Sequence, residues 1–141
     1  MIDSLEKRWF NLTGHFISPD VANELWDELV SHYSEAGRAY HNLEHIGECF
    51  SKFDPVADQA VQRLPFELAI FYHDVIYDPQ ETVPFANEEK SAELAQSHLL
   101  QAGMPPGEVG RVVELILDTR HAQIPQSADG RLFVDIEDRK S

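Results

Sequence analysis

The chain has 141 residues, 43% hydrophobic and 26% charged, a balance that fits one globular domain with a real core and excludes a disordered or fibrous chain. Its 25 acidic residues outnumber 11 basic ones for a formal charge of -14, which argues against long nucleic acid as a partner and leaves room for a small phosphorylated ligand beside a bound cation. Cys49, the sole cysteine, rules out an intramolecular disulfide; no apolar run is long enough to span a bilayer, and the N-terminus lacks a signal-peptide pattern, so a cytoplasmic location is expected.

In chain order, Pro19 and Asp20 open a segment where Val21, Leu25, Leu29 and Tyr33 recur every four residues and Trp26 and Val30 widen the stripe. This spacing predicts a helix, with Gly37 as its stop. Leu43, Ile46, Phe50 and Phe53 form a second helical stripe ending before Asp54 and Pro55. A third helix can begin at Pro65, which a first turn tolerates, and carries Phe66, Ala69, Ile70 and His73 on one spacing. After a turn at 75–79, Asn87 is the expected N-cap of a helix over 88–100. Residues 103–107 break the pattern, and Val109, Val112, Val113, Ile116 and Leu117 restore it at i, i+3, i+4, i+7 and i+8. Residues 132–136 fit either a short strand or a helix. The fold class is all-α.

Histidines and acids stand out within these elements. His41 and His45 lie one helical turn apart near the start of the second helix, where they either look into one cleft or form a polar edge. His73 and Asp74 close a helix whose preceding residues are nearly all apolar, and a charged Asp there is costly unless it is paired or holds a cation. Successive helical residues diverge by about 100°, so both reach one ion only if it lies beyond the helix end. Glu114, Asp118 and His121 fall at i, i+4 and i+7, opposite the valine stripe, as a second cleft-facing row or a solvated face. Arg38 and Arg120 are candidate phosphate forks, with a solvated helix end as the alternative.

The strings Arg-Ala-Tyr-His-Asn-Leu-Glu-His-Ile, Glu-Leu-Ala-Ile-Phe-Tyr-His-Asp-Val-Ile-Tyr-Asp and Asn-Glu-Glu-Lys-Ser-Ala-Glu-Leu-Ala follow one another between Arg38 and Asp135. They resemble the HD superfamily of metal-dependent phosphohydrolases, in particular a bacterial branch of predicted phosphohydrolases. The resemblance implies a single HD-domain-like helical bundle over residues 1–141 that lacks the family's last helices, because the chain stops soon after Asp135. It also implies one divalent ion held by His45, His73, Asp74 and Asp135; from the row opposite the valine stripe, Asp118 stands in reserve as fourth ligand. Two imidazoles and two carboxylates suit Mn²⁺, Fe²⁺, Co²⁺, Ni²⁺ or Zn²⁺ better than Mg²⁺.

By the same resemblance, His41 stands where a histidine protonates the leaving oxygen in cyclic nucleotide phosphodiesterases, and Glu88 orients water or reaches a second ion. Helix-dipole complementation is the competing role for Glu88. Arg38, Arg120 and His121 would then contact substrate, a small phosphate ester with nucleotides among the candidates. Two rival functions remain open. One is a non-catalytic metal- or nucleotide-binding module. The other is a helical interaction domain that pairs into a homodimer through exposed Trp9, Phe10 and Phe16.

Overall fold

Seven α-helices and one short 3-10 turn form the regular structure of the described residues, 2–38 and 41–138, in a computed structural model. No strand occurs among them. The first helix, α1 (Ile2–Thr13), buries Leu5, Trp9 and Thr13 at a spacing of four. Trp9 is fully buried and donates its indole N–H to the Ala22 carbonyl at 2.9 Å. It is therefore a core anchor and no part of an exposed pairing surface, while Phe10 and Phe16 pack partly buried against the core. In α2 (Pro19–Tyr33), the Ser18 hydroxyl accepts from the Val21 amide, and Leu25, Trp26, Leu29 and Tyr33 face inward. That helix ends at Tyr33, and Gly37 takes up its left-handed conformation, φ +88°, in the turn beyond.

Asn42 caps α3 (Leu43–Phe53) by accepting from the His45 amide at 3.2 Å. The 3-10 turn at Asp54–Gln59 leads to α4 (Arg63–Tyr72). Pro65 falls in the first turn of α4, where its missing N–H would have no intrahelical partner anyway. From Pro65 to Tyr72 every residue is buried, so α4 is the central helix, in contact with α3 and with the three helices that follow it. Burying a large apolar side chain is worth about 1.5–3 kcal/mol, and Phe66, Leu68, Ile70 and Phe71 together hold the C-terminal end of α4 in place. Aromatic rings tie it to its neighbours: Phe71 meets Trp9 edge-on at 5.1 Å, and Phe66 stacks on Phe53 at 4.9 Å. Glu67, the one acid in this run, is held by Arg8 and Arg63, each at 2.9 Å.

The remaining helices are α5 (Ala86–Gln101), α6 (Pro106–Asp118) and α7 (Ala128–Glu137). Phe85, at φ +65°, occupies the cap position of α5. Asn87 lies inside the first turn and pairs with the Asp78 backbone through two hydrogen bonds of 3.1 Å, so the expected N-cap acts as a clip on the preceding turn. Residues 132–136 are helical within α7, and Phe133 and Ile136 pack into the core. No helix of the described residues is long and apolar enough to cross a membrane.

Candidate metal centre

The N-terminal turn of α3 and the C-terminal end of α4 converge. The Asn42 cap fixes the start of α3 so that His45 points inward, with 5% of its side chain exposed. Beyond the last residue of α4, His73 continues the helical path and its Nδ1 lies 2.8 Å from the Ile70 carbonyl. A carbonyl can only accept, so Nδ1 carries a proton, and the tautomer this selects is the one whose Nε2 can offer a lone pair toward the interior. Asp74 follows in the turn.

Three donor atoms from these two regions face one another. His45 Nε2 and His73 Nε2 are 3.4 Å apart, and Asp74 Oδ2 lies 3.5 Å from the first and 3.8 Å from the second. His41 Nδ1 donates to the same Asp74 oxygen at 3.0 Å, with its ring stacked on Tyr77 at 3.8 Å. Burial pushes the Asp74 carboxyl up, but the charge of His73, the hydrogen bond from His41 and the charges of His41 and His45 outweigh it. The net displacement is downward, well below the usual carboxylate range.

Around a divalent cation, nitrogen and oxygen ligands at about 2.0–2.2 Å sit about 3–3.5 Å from one another. The spacings of His45, His73 and Asp74 match that range to within a few tenths of an ångström. Cys49 joins the same cluster: its sulfur is 3.8 Å from His45 Nε2, and one ligand atom each from His45, Cys49 and His73 fall within 4.8 Å of one another. The donor set fits a metal ion, which His45 and His73 would hold with Cys49 or Asp74 beside them. A cavity of about 150 Å³ lined by His45, Glu48, Cys49, Lys52 and Ile136 adjoins the cluster.

Arg38 positions this end of the fold. Its Nε bonds Glu35, one terminal nitrogen bonds the carbonyls of His41 and Asp74 at 3.2 and 2.9 Å, and the other bonds the Val75 carbonyl at 2.7 Å and Glu35 at 3.0 Å. Four hydrogen bonds and an ion pair to Glu35 thus occupy the guanidinium. The residue proposed from sequence as a phosphate fork instead pins the backbone on both sides of the cluster. Arg120, the other proposed fork, folds back onto the Leu117 carbonyl at 2.9 Å, at the end of α6.

The acids nominated from the C-terminal part of the chain do not join the three donors. Asp135 is exposed on α7. Two residues along a helix are separated by about 200°, and it is Glu137, with 14% of its side chain exposed, that turns inward and accepts from His121 Nε2 at 3.0 Å. Burial, then the opposing influence of His73 and the repulsion of Asp74, Asp138 and Glu88, leave the Glu137 carboxyl raised to about 7. Asp118 packs against Gly130, where a methyl group would come within 2.5 Å of its carboxylate. Its Oδ2 is buried without a hydrogen-bond partner among the described residues, and burial and Glu114 raise its pKa. Glu88 is half-buried in the first turn of α5, close enough for its charge to act on Glu137.

Sequence reasoning passed over Cys49 and Glu137. Cys49 carried a signal, its spacing of four from His45 on one helix. Glu137 carried none that separates it from Asp135 without knowing which face of α7 is inward. The fold and cluster together define an all-α protein with side chains able to bind a metal ion. No family model, curated protein or solved structure matches the chain.

Proposed function

We propose that the protein is a metal-dependent phosphohydrolase of the HD type, acting on a small phosphate ester. The observation that carries this reading is the approach of His45 Nε2, His73 Nε2 and Asp74 Oδ2 to within 3.4–3.8 Å of one another. Residues 28 positions apart in sequence supply a nitrogen, a nitrogen and an oxygen facing one point. A divalent ion bound there supplies a Lewis acid for a phosphoryl oxygen and lowers the pKa of water toward neutrality.

The chain's own groups divide the remaining work. Asp74 stays ionised and orients His41, whose Nδ1–H it accepts. His41 is the side chain of this group most open to solvent, 31% exposed, and in its protonated form it serves as the general acid for the leaving oxygen. Tyr77 fixes the plane of that imidazole by stacking. Arg38 keeps the carbonyls of His41 and Asp74 on one anchor, so that proton donor and ligand hold their spacing. The strong negative charge of the chain favours small substrates whose phosphate is neutralised locally over long nucleic acid.

The test combines elemental analysis of the purified protein with a screen of phosphate mono- and diesters, on the natural chain and on the double variant His73→Ala, Asp74→Ala. The natural chain is expected to hold close to one equivalent of a transition metal and to turn over at least one ester, and the variant to lose both. Unchanged metal content and unchanged turnover in the variant would overturn the reading. Stoichiometric metal without turnover of any ester would instead make the protein a metal-binding module.

A further inference from the structure

We propose that Cys49 is a metal ligand, so that the centre selects a thiophilic cation of the Zn²⁺, Co²⁺ or Fe²⁺ type through mixed nitrogen, sulfur and oxygen donors. This refinement rests on reading His45 and His73 as ligands. On α3 Cys49 sits one turn after His45, on the same face, and its sulfur stands 3.8 Å from His45 Nε2. With metal–sulfur bonds near 2.3 Å and metal–nitrogen bonds near 2.0 Å, a tetrahedral ion separates sulfur from nitrogen by about 3.5 Å and nitrogen from nitrogen by about 3.3 Å. The protein presents 3.8 and 3.4 Å. Closing the gap between Cys49 and His45 requires movement of a few tenths of an ångström, within the reach of a side-chain torsion, and one ligand atom of His73 lies within 4.8 Å of the same sulfur.

A buried cysteine is often only a small apolar filler. Two features set Cys49 apart from that role. It faces the imidazole of His73, whose other ring nitrogen is already fixed by the Ile70 carbonyl. It also lines the 150 Å³ cavity together with exposed Glu48 and Lys52, which gives an ion a route from solvent to a sulfur that is otherwise buried. Charge balance points the same way. Two neutral imidazoles and a Cys49 thiolate bring one negative charge, which offsets part of the charge of a divalent ion in a site where an unbalanced charge is expensive. On binding, the thiol proton leaves for solvent as the sulfur–metal bond forms. A hard ion such as Mg²⁺ gains little from sulfur, so the same residue discriminates against it.

Cobalt reports the sulfur directly. The full chain loaded with one equivalent of Co²⁺ is expected to show a near-ultraviolet sulfur-to-cobalt charge-transfer band beside visible ligand-field bands. Cys49→Ser should keep the visible bands, lose the charge-transfer band and bind Zn²⁺ about tenfold or more weakly. X-ray absorption on the Zn²⁺-loaded natural chain, which requires no variant to fold, should find one sulfur at about 2.3 Å. A shell of nitrogen and oxygen alone, with no charge-transfer band at full cobalt occupancy, would overturn the sulfur ligand and leave the phosphohydrolase reading intact. Failure of the natural chain to bind Co²⁺ or Zn²⁺ would overturn both.

Discussion

The two ends of this helical bundle treat their titratable residues differently. Where α3 meets α4, named partners orient most of these groups: His73 by the Ile70 carbonyl, His41 by Asp74 and Tyr77, and the backbone of His41 and Asp74 by Arg38. Between the end of α6 and α7, Asp118 and Glu137 are partly or wholly withdrawn from water and carry raised pKa values, and their main partners are Gly130, Glu114 and the exposed ring of His121. The first arrangement is organised around ligand atoms, whereas in the second burial raises both carboxyl pKa values. Acids in a helical domain thus signal a site only when the fold also fixes their lone pairs.

The largest expected difference between the two ends lies in metal binding. His73→Ala should lower transition-metal affinity by more than the roughly 10–100-fold that loss of a supporting partner costs, whereas Asp118→Asn should leave it within about threefold. Isothermal titration with Co²⁺ reads both. Equal losses at the two positions would erase the distinction. Next in size is catalysis: His41→Gln should reduce kcat by about 10²–10⁴-fold on esters with a poor leaving group. On nitrophenyl esters, which need no proton on the departing oxygen, the loss should be much smaller. A uniform loss on both substrate types would show that His41 positions Asp74 and does not donate a proton.

Much of this contrast was legible beforehand on one side only. The apolar periodicity of α2, α3, α4 and α6 appears in the sequence, because helix burial follows a local repeat. The Leu5, Trp9, Thr13 spacing of α1 was equally visible, yet Trp9 read more readily as a surface aromatic. What escaped depends on distance in the chain. Arg38 looked like a free cation because the carbonyls of Asp74 and Val75 that occupy it lie 36 and 37 residues away. Asn87 looked like a cap because nothing local shows that Phe85 adopts a left-handed conformation or that Asp78 returns to meet the amide. For α7, a run that fits strand or helix equally fixes no facing, and a choice between Asp135 and Glu137 amounts to choosing a face.

A smaller effect tests how much the ordered end owes to Arg38. Its replacement by Ala strips hydrogen bonds from three carbonyls, those of His41, Asp74 and Val75, and each buried polar group left unsatisfied costs about 1–3 kcal/mol. Water reaches part of this half-exposed turn, so a net loss of about 3 kcal/mol in urea unfolding is expected. Arg38→Lys should recover less than half, because a compact ammonium offers three donors and no planar fork. A loss below about 0.5 kcal/mol would show that the carbonyls are satisfied without the guanidinium.

Glu137 and Asp135 give the finest comparison, since they share one helix and differ in which way they face. A carboxyl raised in the folded state binds its proton more tightly there than in the unfolded chain. The metal-free protein is therefore favoured below the ordinary pKa of 4.5 and loses that advantage as pH rises through about 7. At 1.36 kcal/mol per pH unit the displacement amounts to about 3 kcal/mol, of which competing solvation is expected to leave about 1–3. Glu137→Gln cannot ionise, so it should stabilise the metal-free protein by that amount at pH 8 and leave it nearly unchanged at pH 4.5. Asp135→Asn, on the exposed face, should change stability at pH 8 by less than Glu137→Gln does. With a divalent ion bound nearby, positive charge stabilises the ionised form of Glu137, and the benefit of Glu137→Gln at pH 8 should shrink. A benefit of equal size with and without metal would place Glu137 outside the field of the ion and confine the centre to the end built by α3 and α4.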